Sequence, residues 1–216
     1  DDEIHNMRAA LVWAIQHDVH VALVLAASLV DWFDKRGPQA EGMHLIEEVL
    51  ALPGASDHTI PWVNALFKAA LMLISGNKIL EAHAYAEECL ALSEELGYDK
   101  GKADALYGLA RVALIGWEDL DAADQYSERS LASYRTLGDP VGIASALLFL
   151  AKSAIDRANF SRARALAEEG LSVEQQAGFR TPNLLRILGD IDYAEGDLDR
   201  ARSLYEQALA IEQQRG

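Results

Sequence analysis

The chain has 216 residues, half of them apolar, and a formal charge of −15 from 34 acidic against 19 basic side chains. So acidic a surface excludes phosphate backbones and anionic membranes as general partners, and a 7% aromatic share suits close helix packing better than a β-sandwich. The single cysteine, Cys89, excludes an internal disulfide; it lies on an apolar helix face and reads as a small core residue.

The chain opens Asp-Asp-Glu, without Met or a signal peptide, and is expected to be a piece of a longer protein with a cytoplasmic location. Its longest apolar run, Val21 to Val30, is about half of the roughly 20 residues that span a bilayer. Ile4, Met7, Ala10, Leu11, Ala14 and Ile15 recur at helical spacing and predict a leading helix over 4–16, the second half of a repeat whose first half lies upstream.

Five helix pairs follow. The first repeat, 19–54, pairs helices 21–35 and 40–51 and stops at Pro53-Gly54. The second, 61–97, starts behind Pro61, which suits a first helical turn, and pairs 62–75 with 80–96 around Gly76-Asn77. The third, 101–138, pairs 102–115 with 120–137, its turn at Gly116-Trp117 one residue longer than that of the fourth. The fourth, 141–178, pairs 141–157 with 161–177 around Ala158-Asn159, and the fifth, 182–213, pairs 182–194 with 199–213. Eleven helices are expected in one all-α domain, 1–216, with no strand alternation.

A period underlies these pairs. Gly42, Ala82, Ala123, Ala163 and Ala201 recur at intervals of 40, 41, 40 and 38 residues, each followed eight positions later by Leu: Leu50, Leu90, Leu131, Leu171 and Leu209. Gly97, Gly138 and Gly178 recur at 41 and 40 residues, where second helices should end on a C-cap glycine. Small residues are needed where two antiparallel helices cross closely, and Gly189, Gly196, Ala201 and Ala208 repeat the spacing of Ala151, Ala158, Ala163 and Gly170. Tyr205 is expected to fill the gap between neighbouring repeats.

The stretch from Gly189 to Leu209 resembles a tetratricopeptide (TPR) repeat, although the period is longer than the roughly 34 residues usual for that repeat and Asp192 and Ala154 stand where its first helix usually has an aromatic. The resemblance implies a TPR-like right-handed helical solenoid. A second resemblance comes from Asn6 to Trp13, Ala22 to Ala26, Trp32-Phe33, Leu50 to Pro53, the Leu137 to Leu147 junction and the Glu195 to Ala201 turn. These are similar to the sensor region of bacterial STAND-type signal-transduction ATPases, including LuxR-like and AfsR-like transcription regulators. That implies an upstream nucleotide-binding domain and an array that receives an inducer or inhibits the switch. The alternative is a free-standing TPR scaffold or chaperone adaptor.

The chemistry of catalysis is not expected in this chain. Gly97 to Lys102 falls one residue short of a P-loop, lacks its Ser/Thr and follows a helix where a strand is required. The six histidines have no metal-ligand spacing, and Glu47-Glu48, Glu87-Glu88, Glu94-Glu95 and Glu168-Glu169 diverge around their helices. No catalytic residue, cofactor or metal is assigned. In a repeat array the first helix of each repeat lines the inner, concave face. Aligning the small residues puts Tyr107, Arg111, Leu148, Lys152, Asn183, Arg186, Asp190 and Tyr193 on that face, a candidate site for an anion or peptide carboxylate with two tyrosines for stacking. Asp104, Asp31 and Asp34 are alternative internal partners for these cations, and Trp32 and Trp62 are expected to pack in the core. The expected partners are a protein, peptide or small-molecule inducer in the groove and other domains of the parent protein, with no direct nucleic acid and no membrane.

Overall fold

A computed structural model of the protein describes residues 2–215, except the side chains at 2, 3, 31, 34–36 and 215. The described residues form eleven α-helices and no strand, so the all-α expectation holds. None of these helices is long and apolar enough to cross a membrane. The chain divides into two compact units, one ending at Gly116 and the other beginning at Trp117.

The N-terminal unit contains α1 (Asp2–His17), α2 (Val19–Arg36), α3 (Gln39–Leu50), α4 (Ile60–Ser75), α5 (Ile79–Glu95) and α6 (Asp99–Arg111), which runs on into a π-turn, Val112–Gly116. The extra residue of the third repeat was expected in a loop. Instead the helix absorbs it as the wider π-turn, whose Val112, Ala113 and Leu114 stay buried, so the apolar face continues to the end of the helix. This unit is held by apolar fit. Phe33, Leu23, Leu29, Ile46, Leu66, Leu73 and Leu106 are fully buried. Gly42 lies so close to α2 that a Cβ there would sit 2.7 Å from the Phe33 Cβ, which is why the first landmark position carries glycine. Cys89 is fully buried, and burial pushes its thiol up to about 12, as befits a structural residue.

The C-terminal unit contains α7 (Leu120–Leu137), α8 (Pro140–Asp156), α9 (Phe160–Ala177), α10 (Pro182–Glu195) and α11 (Leu198–Arg215). Small residues again set the crossings: a Cβ on Gly170 would lie 2.7 Å from Leu184. Tyr205 corrects the expectation made for it. Its ring lies over Gly189 of its own helix pair, where a Cβ would approach within 2.7 Å, and its hydroxyl donates to Asp190 at 2.7 Å. A neighbouring repeat is not needed to explain the aromatic.

Charge does more in this unit. Asp192, 1% exposed, accepts from Arg164 Nη2 at 2.6 Å and meets Arg200 Nε at 3.1 Å, while Arg164 also reaches Glu195 at 2.6 Å. The bond to Asp192 raises the Arg164 pKa against the opposing effect of desolvation. Asp192 occupies the position where an aromatic was missing, so an ion cluster replaces ring packing there. Arg162 joins α9 to Asp124 and Glu128 of α7, Arg157 reaches Asp121, and Arg135 reaches Glu169. Glu174, 1% exposed, accepts from the Thr181 backbone at 2.9 Å and from the Thr181 hydroxyl, pinning the α9–α10 corner.

Six helix ends follow one rule. After α5, α7, α9 and α10 a glycine turns left-handed, at φ 63°, 66°, 76° and 87° for Gly97, Gly138, Gly178 and Gly196. The next residue's N–H then reaches back five positions, as from Tyr98 to Ser93 and from Asp197 to Asp192. Asn77 and Ala158 close the same bonds at φ 59° and 55° without being glycine. Asp18, Asp119, Asp139 and Asn159 cap the helices that follow them.

Candidate functional site

In the N-terminal unit the first helices of successive repeats are α2, α4 and α6, and positions 40 residues apart share a register. Ala27, Phe67 and Tyr107 are one such row. Phe67 meets Tyr107 edge-on, with ring centroids 6.5 Å apart. Each ring carries a cation, with Lys68 Nζ 5.8 Å from the Phe67 centroid and the Arg111 guanidinium 5.9 Å from that of Tyr107. Beside this strip lies a cleft of about 320 Å³, lined by Val24, Ala27, Pro61, Asn64, Phe67 and Lys68, with Ser28, Tyr98, Lys100 and Asp104 completing it. The Tyr98 hydroxyl donates to Asn64 Oδ1 at 3.2 Å, and Lys100 donates to Asp104 at 2.5 Å.

Of the expected site residues, Tyr107 and Arg111 are therefore together and half-buried. Asp104 is buried and pairs with Lys100; Asp31 and Asp34 lie outside the described side chains. Trp62 is buried and donates to Glu88 at 3.1 Å, and Trp32 packs edge-on against Phe33, so both tryptophans have packing roles.

In the C-terminal unit the first helices α8 and α10 are neighbours. Asn183, Arg186, Asp190 and Tyr193 are all exposed and, at spacings of three and four, form one stripe of α10. On α8, Lys152 is exposed and Leu148 half-buried. Lys152 and Arg186 make no ion pair among the described residues, unlike the arginines of α9. Asp190 is committed to Tyr205, whose hydroxyl is pushed up to about 12, by burial first and then by this bond.

Sequence reasoning missed Asn64, Phe67, Lys68, Tyr98 and Lys100. The 40-residue register that selected Tyr107 selects Phe67 as well, but its apolar surroundings in α4 are those of a core residue.

No known protein family matches the chain, and no curated protein does. Similar solved structures exist. BtubC (BKLC) from P. vanneervenii is similar over 100% of this chain and 93% of its own, with a TM-score of 0.71 and 18% identity. A putative kinesin light chain of nearly identical TPR-like repeats from Podosopora anserina has a TM-score of 0.60 and 17% identity, over 89% and 96% of the two chains. A thermophilic TPR protein from Thermus thermophilus has a TM-score of 0.60 and 20% identity, over 88% and 91%. The fold is that of a TPR-like helical repeat protein.

Proposed function

We propose that this TPR-like chain binds a protein, peptide or small-molecule inducer on its first-helix faces, as the sensor or autoinhibitory region of a larger signal-transduction ATPase or transcription regulator in the cytoplasm. The observation that carries the reading is the contrast between helix faces. Arg135 of α7 and Arg162 and Arg164 of α9, on second helices, are spent on ion pairs within the unit. Lys152, Arg186 and Tyr193 on the first helices stand exposed, beyond what the core uses, and Tyr107 and Arg111 hold the matching register in the N-terminal unit. Such groups suit an anionic or carboxylate-bearing ligand.

Catalysis is not part of the proposal. The two strongly shifted groups, Cys89 and Tyr205, are both pushed up, away from the range in which a thiol or phenol serves as nucleophile or base near neutrality. The parent coding sequence tests the context. An upstream P-loop domain is the expected finding; its absence would leave a free-standing scaffold or chaperone adaptor. Binding is tested in each unit separately, by Arg111→Glu in one and Lys152→Glu with Arg186→Glu in the other: one of these folded variants should lose affinity for the inducer or partner with the helical spectrum intact, and retained affinity in both would put the site elsewhere.

A further inference from the structure

We infer that the outer flank of α11 is a dimerisation surface, pairing two copies of this chain through antiparallel α11 helices about a twofold axis. The flank lies apart from the first-helix faces, and its role is independent of theirs. Repetition shows what such a flank is built for. Leu50, Leu90, Leu131 and Leu171 lie eight positions past the small landmark of their second helices and are buried or half-buried, whereas Leu209, in the same register, is 53% exposed. On α9 this flank meets the next first helix: Gly170 lies against Leu184 of α10, and Arg164 reaches Asp192 and Glu195. On α11 the equivalents of Arg164 and Leu171 are Arg202 and Leu209, and both are exposed, as are Leu198 and Tyr205 beside them. The inner face of a stack is thus left uncovered.

The occupant follows from α11 itself. Leu198, Arg202, Tyr205 and Leu209 stand at steps of four, three and four residues, so they share one flank and their spacing is the same from either end. A twofold axis midway between Arg202 and Tyr205 lays the row on its own copy. Leu198 then meets Leu209 of the second copy at both ends, and Arg202 meets the ring of Tyr205 twice in the middle. The ring is already held in place, its hydroxyl donating to Asp190 at 2.7 Å and its edge lying over Gly189, so pairing costs it little freedom. Arg202 engages Glu206 of its own helix through Nε, which leaves the flat face of the guanidinium to stack on an aromatic ring. Charge favours the same occupant. Copies of a chain of charge −15 repel one another, yet α11 sets Asp199, Glu206 and Glu212 against Arg200, Arg202 and Arg215 and is neutral in sequence. Two such helices can approach closely, and a strongly acidic or basic partner helix gains no advantage there.

Sedimentation equilibrium of the full chain tests the pairing. One helix pair is a small interface, so a reversible dimer with a dissociation constant on the order of 10 μM is expected. Leu209→Glu and Arg202→Glu change exposed side chains and should leave the helical spectrum intact, and each should weaken the dimer by about tenfold or more. Cross-linking reads the geometry, because Cys89 is buried and does not compete. Under mild oxidation a mixture of Leu198→Cys and Leu209→Cys chains should form a mixed disulfide, while neither chain alone should link to itself. A monomer at concentrations up to about 200 μM would overturn the inference and leave the flank to a different helix. A dimer left unchanged by either charge variant would overturn the site, and self-linking of the single-cysteine variants in place of the mixed product would overturn the antiparallel pairing.

Discussion

The two compact units reach one helical architecture by different means. The N-terminal unit fills its crossings with bulk: Phe33 against Gly42, and Leu23, Leu29, Leu66 and Leu73 with almost no exposed surface. Most of its ion pairs, such as Arg8–Glu41 and Lys78–Glu47, are half-exposed, and only Asp104, paired with Lys100, is a buried carboxylate among its described residues. The C-terminal unit packs alanines, Ala144, Ala151, Ala154, Ala163 and Ala167, around fewer large side chains and adds a buried carboxylate at Asp192 and another at Glu174. Apolar burial is insensitive to direction, whereas a buried carboxylate tolerates one set of partners. Geometry in the second unit is therefore specified by charge, and in the first by shape.

The largest effect that sharpens this contrast is expected from Gly42→Leu. Four more carbons at a crossing where even a Cβ collides with Phe33 should cost about 3 kcal/mol. In hydrogen exchange the loss should appear in α2 and α3, and an unchanged urea midpoint would break the steric half of the contrast. Asp192→Ala tests the other half. It removes the carboxylate shared by Arg164 and Arg200, although Arg164 keeps Glu195, so a loss of about 2 kcal/mol is expected, seen as faster exchange in α9 to α11. A cost of only a few tenths would mean that the cluster is a surface ornament.

Ala158 and Gly196 allow a smaller and opposite test. They hold the same corner in successive repeats, at φ 55° and 87°, and only one of them is glycine. An alanine in the left-handed region costs about 1 kcal/mol. Ala158→Gly should therefore raise the thermal midpoint, and a lowered midpoint would show that the corner is held by something other than backbone strain.

The smallest effect concerns alkaline pH. The Cys89 thiol is raised in the folded state, so its contribution to stability is complete below about pH 9 and is lost as pH climbs toward about 12. Cys89→Ala should flatten that part of the stability profile while leaving neutral pH little changed in slope.

The fold was legible because repetition leaves two independent marks on a sequence. Crossing positions demand Gly or Ala, and helix ends demand a residue that accepts positive φ; the intervals between Gly97, Gly138 and Gly178 therefore mirror those between Ala82, Ala123 and Ala163. The π-turn after α6 was legible only as a surplus residue, since nothing in Val112 to Gly116 says whether a helix or a loop takes it up. Charge networks were harder still. Arg164 and Asp192 lie 28 positions apart, and charged residues on amphipathic helices look alike whether they face water or one another. The same ambiguity hid Phe67 and Lys68: in so apolar a helix as α4, a phenylalanine at a core-like spacing gives no sign that its ring borders a cleft.

The central functional claim is that ligands meet the first helices of the repeats while the second helices serve packing. Hydrogen exchange of the full chain, with and without its inducer or partner, tests this most directly. New protection is expected on first helices, foremost α4 and α6, with α5, α7, α9 and α11 unchanged. Protection concentrated on the second helices would contradict the claim.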